Sequence, residues 1–394
     1  MARRMTTIKE ISQRQGTAFH EACYDEGHSK ILRKTFDSTE IWDLPAPYVC
    51  CGNVKDVVIF GGTYLYSSDD AYVFHCQSFQ NELNQRFAGL VQTFIDGRRD
   101  RLYANIVEQE CIFLGGTWSE PTETGLSHLT VGANFGHFIF EYLNRLVIFE
   151  MFGIGRDLPV VVYENLPKPW LGFLELAGIA RERIITVPIA EPPAYRNAWV
   201  SSSCHYRDLK GRWRYWAAGQ HWLRFRVLSS IGGPRLAERR RLFLGRGDAR
   251  WRRIVNEAEV IALLRLYGFE SVDMAALTAR EQVEIVSGAE FMICALGAGT
   301  IMSSFAPEHC INILLAPRDV GLGLWGGLGS AMALRQVHER IDCDHVEAPG
   351  QFRDNGFGFN ELSDYRVDLD VLRRKVEDMV RLVASGQRRN PLLL

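Results

Sequence analysis

Lysine is scarce in this chain: 7 of its 45 basic residues are Lys and 38 are Arg. The Arg excess, which genomic base composition can produce, assigns no function, and the net charge of -2 gives no overall attraction to nucleic acid. No CxxC pair occurs among the nine cysteines, so neither a zinc site nor a disulfide framework is indicated. They read as reduced, small core residues of a cytosolic protein. No apolar run approaches the ~20 residues that span a membrane. The opening MARRMTTIKEISQRQG is followed by no apolar signal core. A cytoplasmic protein is expected, with contact at the inner membrane surface left open. A Walker lysine motif is also missing.

What remains is a chain of 394 residues, 47% hydrophobic and 23% charged, long enough for two domains or more. The pattern divides it into an N-terminal arm at 1–45, an α/β domain at 46–215, a second, Rossmann-like domain at 216–350, and a terminal helix and tail at 351–394 that could pack back on the first domain. Between Val49 and Leu114 short β-branched and aromatic runs alternate with Gly and Asp turns, with helical pattern around Asn81–Ile95. LPVVVYENLP to RIITV reads as a β-α-β unit, hence a parallel sheet.

The stretch FMICALGAGTIMSSFAP, Phe291–Pro307, is the organising one. A strand-length apolar run stops at Gly297, turns through Ala298 and Gly299, and restarts at Thr300 as a short helix that Pro307 ends. Free N–H groups at such a helix start favour a phosphate, and small residues let one come close. An ordinary strand-to-helix connection would have the same letters. As a nicotinamide fingerprint the turn fails, lacking the third glycine and the later acid.

In NFGHFIFEYLNRLVIFEMFGIG the apolar residues recur at helical spacing, and His137, Glu141 and Arg145 follow at steps of four along one expected face. That is either an exposed polar stripe or one wall of a cleft with a general base. Residues 205–226, HYRDLKGRWRYWAAGQHWLRFR, mix Arg with Trp: packing between domains is one reading, peripheral membrane contact the other. In the second half RRRLFLGR is a strand, and Arg246 and Arg250 occupy the loop after it. Asn256 and Glu259 stand at capping positions of NEAEVIALLRLYGF, and Thr278 with Glu281 forms a capping box. Asp342-Cys343-Asp344 matches a metal-binding spacing but reads as coincidence on a late strand.

Several of these features occur together in one known family. An Arg closing a strand, a second Arg before Asn-Glu, the GFE strand, the Glu-Gln helix start, and a strand running into xGAG then Phe-x-Pro resemble the family-61 glycosyltransferases, over residues 131–316. The resemblance implies a GT-B architecture, two Rossmann-like domains facing across a cleft, and inverting transfer from a nucleotide-diphosphate sugar, a UDP-sugar above all. It implies a saccharide or lipid-linked saccharide acceptor in envelope or capsule synthesis, and no cofactor or metal. On it, His137 and Glu141 are base candidates. Arg246, Arg250 and Gly297, Ala298, Gly299 and Thr300 hold the diphosphate, with Asn134, Asn256, Glu257 and Glu281 as weaker nucleotide or sugar contacts. One position departs: Leu296 stands where family members commonly have His. An inactive nucleotide-sugar or glycan binding subunit, or a GT-B sugar-nucleotide epimerase, are therefore the alternatives.

Overall fold

The computed structural model describes residues 8–22, 28–34, 39–45, 49–60, 64–67, 97–115, 121–122, 125–126, 135–164, 166–189, 191–202, 204–207, 213–247, 249, 251–318, 336–346 and 363–384. The expected helix near Asn81–Ile95 lies outside them. The chain forms two compact α/β units, Met1–Lys30 with Asp43–Val227, and Ile31–Trp42 with Leu228–Leu394. This differs from the division read in the sequence. The presumed arm belongs to both units: Ile8 and Ile11 enter the core of the first, and a strand from the same region joins the sheet of the second.

The first unit is built on a seven-stranded mixed sheet. Its central strand Val49–Phe60 pairs antiparallel with Phe19–Ala22, Tyr64–Ser67 and Ala194–Ser201. From Ala194–Ser201 the sheet continues in parallel through Cys111–Gly115, Val160–Tyr163 and Ile184–Val187. The β-α-β unit expected at 158–188 is present, with helix Lys168–Leu176 as its crossover. Val160–Tyr163 is buried at every residue, as a strand covered on both faces must be.

The segment after Asn134 is not one uniform helix. An α-helical turn at Phe135–His137 widens into a π-helical turn at Phe138–Tyr142, tightens to a 3-10 turn at Leu143–Arg145, and resumes as α-helix at Leu146–Met151. The four-residue stripe of His137, Glu141 and Arg145 presupposed a constant pitch. The inserted residue of a π turn breaks it, a feature found often at functional sites. Nor is this an exposed polar stripe, since Glu141 and Arg145 are 4% and 2% exposed.

Helix Ala217–Ser230 buries Gln220, Leu223, Arg224 and Val227, spacings of three and four that give one inward face. Arg226 stacks over the Trp222 ring and pairs with Glu150, so much of the Arg and Trp pattern serves packing within this unit. Phe225 is left 68% exposed.

The second unit is Rossmann-like. Its five parallel strands in chain order are Arg240–Leu244, Glu270–Ser271, Ala289–Ala295, Ile311–Pro317 and Val337–Val346. In the sheet they run second, first, third, fourth, fifth, and His28–Lys34 adds a further parallel strand beyond the last. Every residue of Ala289–Ala295 and Ile311–Pro317 is buried, which explains why both read as mostly apolar runs, broken only by Glu290 and Asn312. The terminal helix Leu369–Ala384 packs Leu372, Val376 and Met379 into this unit's own core beside Leu263 and Leu264. Asp342 and Asp344 alternate with buried Cys343 along the strand Val337–Val346, and Asp342 pairs with Arg340. Cys50, Cys51, Cys111, Cys204, Cys294, Cys310 and Cys343 are free and buried.

Candidate functional site

In an open parallel sheet, ligands settle outside the carboxyl ends of the strands where the order reverses. Here the reversal falls between Arg240–Leu244 and Ala289–Ala295. The loops leaving those strands are Gly245-Arg246-Gly247 and Leu296-Gly297-Ala298-Gly299. They meet: a Cβ on Gly297 would lie 1.8 Å from Nη1 of Arg246. The φ of Gly297 is 166°, extended backbone open to any residue, so glycine is required here for the space it yields to the guanidinium.

Arg246 is held by backbone. Its Nε donates to Trp251 O at 3.0 Å and its Nη1 to Leu296 O at 3.2 Å. Nη2 has no partner among the described residues, which leaves one end of a fixed cation available to an anion. Burial pulls this guanidinium below its ordinary value, while Tyr365, Asp364 and Glu257 nearby raise it. An arginine so placed still carries its charge at any working pH.

Glu257 sets the loop. Its Oε1 accepts from Arg246 N at 2.8 Å and its Oε2 from Gly247 N at 3.2 Å. A Cβ on Gly245 would come within 2.2 Å of that carboxylate, so Gly245 admits Glu257 as Gly297 admits Arg246. With both oxygens engaged by backbone, Glu257 positions Arg246 from below.

Ala298–Phe305 is a 3-10 helix rather than an α-helix, and Ala306-Pro307 ends it as read. The Thr300 hydroxyl and amide both donate to Gly297 O, at 2.8 and 3.2 Å. The Gly299 amide finds no acceptor outside its own helix among the described residues. In front of Gly299 there is nothing within 4 Å, so a Cβ there meets open space. Gly299→Ala is therefore expected to leave the melting temperature unchanged or raise it slightly, since a stiffer unfolded chain is worth about 0.4–1 kcal/mol to the folded state. Any loss of nucleotide affinity in that variant measures a ligand crowding the new methyl; equal calorimetric affinities would mean that none approaches there.

The other positions sort clearly. Asn256 is buried, its carboxamide donating to Val367 O at 2.9 Å and accepting from Val367 N at 3.0 Å; it makes no side-chain cap. Glu281 forms the expected capping box with Thr278, whose amide and hydroxyl hold the carboxyl below its usual value. Arg250 and Asn134 lie outside the described residues, as does the side chain of His137, whose backbone closes the first helical turn. Leu296 turns its side chain onto the core and serves the loop through its backbone, with its carbonyl on Arg246 and its amide shared between Leu315 O and the Tyr365 hydroxyl.

Tyr365 went unnoticed in the sequence. It is fully buried, and its hydroxyl donates to Leu315 O while accepting from Leu296 N, both at 3.0 Å. Burial drives its pKa far up, so it remains a neutral phenol that braces the glycine turn. Nothing in SDYRVDL, a short polar run before the last helix, marks it out.

A fixed arginine beside a glycine turn at the switch point of a Rossmann-like unit is an arrangement chemically able to hold an anion. Residues 135–313 match the family Glycosyltransferase 61, a stretch that includes the π-helical turn, Arg246 and the glycine turn. No curated protein matches the chain.

Proposed function

We propose that the protein is an inverting glycosyltransferase that takes a sugar from a nucleotide-diphosphate donor, a UDP-sugar by preference, and passes it to a saccharide hydroxyl in envelope or capsule polysaccharide synthesis. The observation that supports this reading is Arg246 seated on Gly297, with Nη2 unengaged among the described residues, at the turn that opens the 3-10 helix Ala298–Phe305. As the acceptor oxygen bonds to the anomeric carbon, the bond to the diphosphate breaks and its electron pair leaves with the diphosphate. Fixed positive charge at that end stabilises the leaving group without reorganising. The acceptor proton passes to a base, for which Glu141 and His137 are the candidates in the first unit. Two α/β units are what a GT-B enzyme requires. Contact with the membrane surface through residues 205–226 belongs to the same proposal, with exposed Phe225 in its favour.

The experiment is transfer from a panel of nucleotide sugars to saccharide acceptors, with product linkage read by NMR. Inversion at the anomeric carbon is expected, together with a loss of turnover of about 100-fold or more in whichever of His137→Ala and Glu141→Ala removes the base. If both variants keep wild-type turnover, the acceptor side is misassigned. A second reading is motivated by Leu296, whose apolar side chain cannot hydrogen-bond a ligand: a subunit that binds the nucleotide sugar and transfers nothing. Tight UDP binding without transfer or hydrolysis on any donor would select it.

A further inference from the structure

Arg145 lies in the 3-10 turn after the π-helical turn and is 2% exposed. Its guanidinium sits over the Tyr142 ring, 4.7 Å from the centroid. Among the described residues Nε and Nη2 have no hydrogen-bond partner, and no carboxylate reaches ion-pair distance of Arg145. These are two particular nitrogens. They point their N–H bonds in parallel from one edge of the guanidinium, the edge whose spacing matches the two oxygens of a carboxylate or phosphate. An arginine cannot shed its proton to relieve burial, and a desolvated cation without a counter-charge is among the costliest arrangements in a protein.

The surroundings are polar too. The neighbouring Asn144 donates to Gln220 Oε1 at a long 3.4 Å, while Asn144 Oδ1 and Gln220 Nε2 are buried without partners among the described residues. Cys204 Sγ donates to Asn144 O at 3.3 Å. Burial pushes that thiol up to about 12 and the Arg145 charge pulls it back. Glu141, the base candidate, lies one turn earlier on the same segment.

We infer that the side-on edge of Arg145 is an anion subsite of the first unit, built to grip two oxygens of an acidic group on the acceptor. This rests on the glycosyltransferase reading and deepens it: the acceptor is an anionic saccharide, its charge supplied by a uronic-acid carboxylate or by the phosphate of a lipid-linked sugar. Arg145 is a binding residue in this scheme, not the base.

The test compares wild type with Arg145→Gln and Arg145→Met, by calorimetry and thermal shift. The probes are methyl glucuronide, glucose 1-phosphate, uncharged methyl glucoside and UDP. One of the two anionic sugars is expected to bind wild type at least tenfold more tightly than methyl glucoside, and which one does so identifies carboxylate or phosphate as the source. That preference should vanish in both variants. Their UDP affinity should stay within twofold of wild type, so the donor site is read separately. Without ligand, both variants should melt at or above the wild-type temperature, because an unpaired buried charge has been removed. A variant that melts well below wild type would show that the guanidinium serves the fold, and an anion preference that survives in Arg145→Gln would place the subsite elsewhere; either result overturns the inference. So would the absence of any anion preference in wild type.

Discussion

Gly297→Ala is expected to lower nucleotide-diphosphate affinity by about 10- to 100-fold, the usual effect of removing one charge-assisted hydrogen bond, while the protein stays folded. The backbone at 297 accepts alanine without strain, because its φ is extended. The new methyl collides with Arg246, whose Nη1 would be 1.8 Å away. That group is the far end of a flexible side chain, so the cheapest relief is for the guanidinium to leave Leu296 O and swing out of its seat. Stability changes little and the anion is left without its fixed partner. Calorimetry with UDP measures the drop directly, and Arg246→Ala should lower affinity to the same degree. The double variant should then be no worse than either single one, the signature of two residues acting as one device. Additive effects would show that the glycine and the arginine act separately.

Asn256→Ala is expected to do the reverse, destabilising the second unit and leaving nucleotide binding alone. Truncation strands the amide and the carbonyl of Val367, both held by this one carboxamide. Buried polar groups left unpaired cost about 1–3 kcal/mol each, which puts the total at about 2–6 kcal/mol. A unit of this size should lose on the order of 10 °C in melting temperature. UDP affinity measured well below the transition should match wild type. Normal melting with weakened UDP binding would instead make Asn256 a ligand contact.

The residues differ in how far their letters betrayed them. Strands Ala289–Ala295 and Ile311–Pro317 are plain in the sequence because burial on both faces leaves each mostly apolar, with Glu290 and Asn312 as the polar exceptions, and a buried run of that length between turns has few other meanings. The Thr278–Glu281 box was equally plain, since capping is local chemistry written at a fixed spacing. Asn256 fits the same local rule and departs from it: its partner is Val367, more than a hundred residues away, and no spacing encodes that. Glu257 is a weaker ligand contact on the family resemblance, yet both its oxygens hold the loop's own amides. The π-helical turn could not be foreseen, for FIFEY carries no residue that forbids an ordinary helix. Tyr365 and Leu296 show the same limit from the other side, as each acts on the glycine turn through one hydroxyl or one carbonyl in three dimensions.

The strand His28–Lys34, which joins Val337–Val346 in register Lys34 to Val337, makes the second unit a patchwork of segments far apart in the sequence. On the ribosome this strand emerges long before Val337–Val346 and cannot make that pairing until the later strand follows. Cutting the chain at 228 to obtain a tidy nucleotide-binding fragment would leave the rim of Val337–Val346 bare, and bare rims recruit strands from other copies. A soluble version of that half therefore needs residues 28–45 grafted back, whereas a plain truncation is expected to aggregate.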